Sequence, residues 1–208
     1  MKLVLPSLLL GIAAWFSACT APLKPIPVFY PLQTNSEGDT VYHVIPPFRF
    51  VDQDSAIITE ATFEDHIYVA DFFFTTCPSI CPKMSKQMLR VHDAFLDQPG
   101  VLLLSHSIDP GHDSVAVLRD YAQGLGIRSS KWHLVTGDMD TIHAMAQHQY
   151  KVSAMQDEDA PGGYLHSGAF ILVDKERRIR GYYDGTIPEE VDLLIRDIRR
   201  LLDEDENP

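Results

Sequence analysis

The sequence predicts an α/β fold, a central mixed sheet flanked by helices with a strand extension on its N-terminal side. Three observations carry this. Apolar runs of strand length alternate with helical stretches between residues 67 and 150, the order that builds strand–helix–strand units. Residues 67–74 (IYVADFFF) are almost wholly apolar, as a strand buried on both faces is. A strand pair and a capped helix then close the chain between residues 164 and 202.

In chain order, residues 41–45 and 48–51 read as short strands separated by Pro46 and Pro47, and a third strand at 56–58 follows the turn at 52–55. After the strand at 67–74 comes a helix over about 78–96, then a second buried strand at 101–108. Asp113 is placed to cap a helix running to about Leu125. A strand at 132–135 precedes a helix capped by Asp138 and ending near Tyr150. Residues 164–173 and 179–183 form a strand pair around a turn at 174–178. Thr186 and Glu189, with Pro188 inside the first turn, make a capping box for a last helix to about Leu202. A thioredoxin-like arrangement fits this order, although pattern alone leaves several α/β topologies open.

The ends read differently. Residues 1–18 hold Lys2, a short apolar run and the small pair Ser17-Ala18, the layout of a secretory signal peptide. The run is too short for a membrane span of ~20 apolar residues, and Pro6 interrupts it. Cys19 stands where a bacterial lipoprotein carries its acylated cysteine. The surrounding Phe16-Ser17-Ala18-Cys19 resembles the lipobox, with Phe16 in place of the usual leucine. The expectation is lipidation at Cys19, which anchors a chain to the membrane without spanning it. Residues 19–38, with four prolines, read as an extended tether, residues 39–203 as one domain, and 204–208 as an acidic tail. The expected localisation is the bacterial cell envelope, with the domain in the periplasm. The formal net charge is −12, which argues against nucleic-acid binding, since phosphate contacts need clustered Lys and Arg.

With Cys19 acylated, Cys77 and Cys81 remain, four residues apart. A bridge this local closes a tiny loop and adds little through unfolded-state entropy, so the spacing favours a redox or metal site over a staple. The strand at 67–74 delivers Cys77 to its C-terminal end at the start of a helix, where open α/β sheets bind ligands. The helix N-terminus favours thiolate, the form that binds metal and exchanges disulfides. On a helix, positions i and i+4 share a face with ~5–6 Å between Cβ atoms. One metal ion bridges that gap, whereas a disulfide needs ~4 Å. Pro78 and Pro82, each following a cysteine, are expected to loosen the turn.

The segment FFFTTCPSICPKM at 72–84 resembles the Sco/SenC signature. SIDP at 107–110 with Asp113, WHLVTG at 132–137 and YLHS at 164–167 resemble three further blocks of that family, in its order. The resemblance implies a thioredoxin-like fold and copper, as Cu(I) or Cu(II), held by Cys77, Cys81 and His166. It also implies a role in maturing the dinuclear copper centre of cytochrome c oxidase. The copper-centre subunit of the oxidase is then the partner, with another copper chaperone or a thiol reductant as further candidates. Many members carry Asp before the histidine where this chain has Leu165. The donor chemistry agrees, since soft thiolates with an imidazole suit Cu(I).

Weaker signals are read as structural. Met84 and Met88 continue the cysteine stripe at helical spacing and are expected in the core. His106, Asp109 and His112 border the strong turn Asp109-Pro110-Gly111 and are expected to shape the rim of the site. His143 and His148 are expected in solvent. The alternative function is thiol–disulfide exchange through a Cys77/Cys81 redox pair. Against it stand the Cys-x-x-x-Cys spacing and Gly168 near the position where thioredoxins carry proline. A peroxidase ranks last, because no arginine occurs near Cys77 before Arg90.

Overall fold

The computed structural model describes residues 24–206. The expected signal peptide and Cys19 lie outside the described residues. In chain order the elements are a hairpin of β1 (Pro31–Thr34) and β2 (Thr40–Tyr42), then β3 (Arg49–Asp52), β4 (Ile57–Thr59), β5 (Ile67–Phe73), α1 (Cys81–Ala94), β6 (Val101–Ser107), α2 (Val115–Leu125), β7 (Trp132–Thr136) and α3 (Met139–Ala144). β8 (Ala154–Gln156), β9 (Tyr164–His166), β10 (Ala169–Val173), β11 (Ile179–Asp184) and α4 (Pro188–Glu206) complete the fold.

Seven strands make one mixed sheet in the order β11-β10-β5-β6-β7-β3-β4. β5, β6 and β7 are parallel, joined through α1 and α2, and the register runs from Ile67 opposite Val101 to Phe73 opposite Ser107. β10 pairs antiparallel with β5 and forms a hairpin with β11. β3 and β4 add antiparallel to the far edge at β7. This is the expected thioredoxin-like fold with its strand extension. All seven residues of β5 and all seven of β6 are buried, which is why both runs lack the polar alternation of a half-exposed strand.

Two buried titratable groups lie one register position apart on β5 and β6, on opposite faces of the sheet. Asp71 accepts a hydrogen bond from the hydroxyl of Ser105, directly opposite in the register. Ser105 Oγ in turn accepts from Nε1 of Trp132 at 2.8 Å. Burial pushes the Asp71 carboxyl up to about 7, and the Ser105 bond only partly opposes it. His106 stacks on Phe72 at 4.7 Å and meets Phe50 and Tyr150 edge-on. Its Nε2 has no hydrogen-bond partner, and burial pulls the imidazole down to about 4. His106 is therefore a core residue and forms no part of the expected rim.

The structure corrects the reading of both ends. Part of the expected tether is packed on the body: Ile26 is buried and Phe29 N–H bonds to the carbonyl of Ile179. The prolines keep this segment extended, and the apolar residues between them give it a reason to dock. Arg180 fastens it, donating to the carbonyls of Ile26 and Pro27 while pairing with Asp174 and Glu204. The same Glu204 accepts from Ile26 N–H at 3.1 Å, so the expected acidic tail is helical as far as Glu206. Three local expectations also fail. Ser114, not Asp113, caps α2, because Asp113 is fully buried elsewhere. Thr186 gives its hydroxyl to Asp184, and α4 begins at Pro188. The strand expected at 164–173 is split into β9 and β10, with β9 pairing to the unforeseen β8.

Candidate metal centre

The site lies beyond the C-terminal ends of β5 and β6. Helix α1 begins only at Cys81, later than expected, so Cys77 stands in the preceding loop. The two cysteines do not share a helix face. Pro78 explains the delay, since it disfavours helical backbone at the residue before it. The loop is held from below by Asp113, whose fully buried carboxylate accepts Thr75 N–H at 3.0 Å, the Thr75 hydroxyl and the Ser107 hydroxyl at 2.6 Å. His112 Nδ1 lies 3.0 Å from the same carboxylate, and that contact holds the exposed imidazole above its usual range. A closing bond runs from Cys77 N–H to the carbonyl of Phe74 at 3.2 Å.

The third side chain comes from the other end of the chain. β8 and β9 pair with Ala154 opposite His166, and Ser167 N–H bonds to Ser153. His166 is thereby carried over the cysteines and is 9% exposed. Its ring meets Phe74 edge-on at 5.7 Å, and Phe74 also packs on Tyr164 at 5.2 Å. Gly162 makes this closeness feasible. It has φ +82, and a Cβ there would stand 2.8 Å from the Phe74 ring and 3.2 Å from Pro78. The Gly162-Gly163 pair supplies close packing against the cysteine loop.

The donor atoms converge. Cys77 Sγ is 3.8 Å and Cys81 Sγ 3.2 Å from His166 Nε2, and all three atoms lie within 4.8 Å of one another. His166 Nδ1 is 3.2 Å from the carbonyl of Ser167. When a metal is held, a proton on Nδ1 satisfies that carbonyl and frees Nε2 as the ligand; in the metal-free chain Nε2 lies within reach to donate to the sulfurs. With bonds of ~2.3 Å to sulfur and ~2.0 Å to nitrogen, taken from zinc, trigonal donors stand about 3.8–4.0 Å apart. The two sulfur–nitrogen distances meet this if Cys81 moves back by about half an ångström, and the sulfurs lie within 4.8 Å of each other, so the three residues fit a three-coordinate soft metal ion.

Both cysteines are free and buried, yet they differ electrically. Burial opposes ionisation of Cys77, but hydrogen bonds from His166, from Cys81 and from the backbone of Cys81 and Ser79 outweigh it and pull the thiol down to about 6. At Cys81 burial acts first and the neighbouring Cys77 adds to it, so that thiol is pushed far up despite a backbone contact at Phe74. The reduced pair at neutral pH is one thiolate and one thiol.

Of the weaker candidates, Met84 and Met88 are buried in the core as expected. Asp109 does shape the rim, accepting the Tyr164 hydroxyl at 2.9 Å. His148 is exposed. His143 is not in open solvent as expected, because its Nε2 contacts the Ile108 carbonyl at 3.0 Å. Leu165 faces away from the metal centre and is 45% exposed. A cleft of about 470 Å³ between Glu60 and Arg177 exceeds the cavity of about 410 Å³ beside the cysteines, but charged side chains wall it and it holds no soft donor. The sequence reading took Asp113 for a helix cap and gave neither it nor Gly162 a role in shaping the site. The signal for Asp113 was its place just after the SIDP block; for Gly162 it was a glycine pair four residues before His166.

The SCO1/SenC family profile matches residues 36–203. A SCO1/SenC family lipoprotein from Bacillus anthracis is similar in structure, with TM-score 0.72 and 25% identity, covering 85% of this chain and 99% of that one. BsSco, a Sco-family cytochrome c oxidase assembly protein with a disulfide switch, has TM-score 0.68 and 25% identity over 78% of this chain and 95% of its own. Bradyrhizobium japonicum ScoI with copper bound shares the fold, at TM-score 0.63 and 23% identity over 76% of this chain and 99% of its own.

Proposed function

The chain belongs to the SCO1/SenC family, and from that premise we propose that it binds copper through Cys77, Cys81 and His166 and serves maturation of the dinuclear copper centre of cytochrome c oxidase. The observation that carries the reading is the convergence of two sulfurs and an imidazole nitrogen within 4.8 Å. A soft S,S,N donor set suits Cu(I), and copper is the metal held by the Bradyrhizobium japonicum protein. The oxidase role is supported by the assembly function of BsSco. The copper here is cargo, and the copper-centre subunit of the oxidase is its recipient. Export and a lipid anchor at Cys19 complete the reading, supported by the likeness to a family lipoprotein.

The test is an anaerobic copper titration of the reduced and the oxidised chain. One Cu(I) should bind the reduced form, and the oxidised form should retain none after desalting, because a disulfide removes both thiolates. His166→Ala should lower affinity by more than the ~10–100-fold that loss of a ligand's hydrogen-bonded neighbour costs. Equal copper in the oxidised form, or affinity unmoved by His166→Ala, would sink the three-donor site.

A second reading is thiol–disulfide exchange on the cysteines of that copper centre. One observation favours it: Cys77 is pulled down to about 6, as an attacking thiolate should be. Oxidase maturation that survives His166→Ala but fails with Cys77→Ser would move the assignment there.

A further inference from the structure

A groove runs between α1 and α2 and opens at one end on the two cysteines. It encloses about 410 Å³. Pro82 and Leu89 of α1 and Leu125 of α2 make it apolar, and the Ser85 and Tyr121 hydroxyls, 2.6 Å apart, place a polar pair within it. No carboxylate lines it, while Lys86 does. Lys83, one turn earlier on α1, is exposed as well. Lys83 and Lys86 outnumber the one Cys77 thiolate, a small local excess of positive charge on a chain whose formal net charge is −12, so an acidic partner meets less repulsion here than elsewhere.

Gly124 gives an independent reason to expect an occupant. It lies inside α2 with ordinary helical backbone, and a Cβ there would meet nothing within 4 Å. Glycine weakens a helix relative to alanine, and no neighbour in this chain requires it. A glycine whose side chain would only enter the groove leaves room there for another backbone to come close.

We propose that the groove is the docking site of an extended, acidic segment of a partner protein, which brings a soft donor side chain up to Cys77 and Cys81. The inference rests on the copper reading only for what that donor receives. An extended segment fits the groove, because it lies between two helices and offers the Ser85 and Tyr121 hydroxyls to a backbone.

The probe is a fluorescein-labelled peptide, Glu-Asp-Gly-Met-Gly-Asp-Glu, titrated by fluorescence anisotropy with the full reduced chain in detergent, with and without one equivalent of Cu(I). A control peptide replaces every acid by lysine. The acidic peptide should bind, and more tightly with Cu(I) present. Lys86→Glu should weaken it about tenfold, the scale of a rim-charge reversal, and Gly124→Trp should abolish it by filling the groove. Copper affinity of both variants, by chelator competition, should stay at the wild-type value. Binding of the acidic peptide to the copper-free chain judges the groove even if the chain proves unable to hold copper. The proposal is overturned if the acidic peptide fails to bind, if both variants bind it like wild type, or if the lysine peptide binds as well. It is also overturned if Gly124→Trp dissociates a dimer seen by sedimentation, since the occupant is then a second copy of this chain.

Discussion

Asp71 and His106 should hide each other's pH dependence, and removing either one exposes the other. His106 is pulled from an ordinary 6.5 down to about 4. Its neutral state is favoured by the fold, so its contribution is present above 6.5 and is lost as pH falls through 4. Asp71 is pushed from 3.8 up to about 7. Its protonated state is favoured by the fold, so its contribution is present below 3.8 and is lost as pH rises through 7. At ~1.4 kcal/mol per pH unit, the His106 span is worth ~3 kcal/mol and the Asp71 span ~4 kcal/mol. The windows nearly coincide and the signs are opposite, so the wild type gains little slope from the pair between pH 4 and 7. His106→Phe removes the first term, and the ring can occupy the aromatic cage of Phe50, Phe72 and Tyr150. Relative to wild type, its stability should rise by ~3 kcal/mol from pH 7 to pH 4. Asp71→Asn removes the second and keeps an acceptor for Ser105; its relative stability should rise by ~4 kcal/mol from pH 4 to pH 7.5. Urea unfolding of the reduced, metal-free chain at four pH values, followed by Trp132 fluorescence, measures both. Difference curves that are flat, or that slope the same way for the two variants, would refute the argument.

Three further outcomes are expected. Gly162→Ala forces a Cβ toward Phe74 at positive φ and should cost ~1–3 kcal/mol of stability while weakening copper binding through the displaced loop, checked by melting and chelator competition on one preparation. Arg180→Ala leaves Asp174 and Glu204 without their shared cation, although Arg178 still pairs with Asp174. It should cost ~3 kcal/mol and make residues 24–34 the first site of limited proteolysis. Cys19→Ser should move the expressed protein from the detergent phase to the aqueous phase or leave it unprocessed; wild-type protein found in the aqueous phase would contradict the anchor.

The central sheet was legible because its strands are extreme. A run such as IYVADFFF has no polar alternation, so neither a surface strand nor an amphipathic helix accommodates it, and the parallel β5-β6-β7 unit follows. The edges were not legible for the opposite reason. β8 is three residues long with two of them exposed, and what makes it a strand is pairing with β9, a contact no local pattern encodes. The strap at 24–30 is similar. Its prolines announce extension, but only the distant Arg180 and Glu204 decide that it is bound to the body. At the site, the cysteines were readable from spacing, while their arrangement was not. Helical geometry places i and i+4 on one face, and Pro78 overrides it by keeping Cys77 out of α1. Asp113 shows why: an acid before an apolar helical run is the expected cap, and here Thr75 of the cysteine loop and Ser107 of β6 compete for it and win.

The asymmetry of the two thiols bears on how one site could serve both copper and disulfide chemistry. A metal ion with two thiolate ligands must displace whatever protons they hold. Here Cys77 is already largely ionised at neutral pH, whereas Cys81 keeps its proton beside His166 Nε2 at 3.2 Å. An arriving Cu(I) meets a ready sulfur first and a guarded one second, and the guard is the third donor itself. Exchange with a partner disulfide asks for the same order: the Cys77 thiolate attacks one partner sulfur and expels the other as thiolate, and Cys81, giving up its proton, then attacks Cys77 Sγ to close the pair and release the partner reduced. Both reactions therefore begin at Cys77, and they part at His166. In copper binding its lone pair turns to the metal, while in disulfide chemistry it needs only to take a proton. This is why a substitution at His166, and not at either cysteine, separates the two functions.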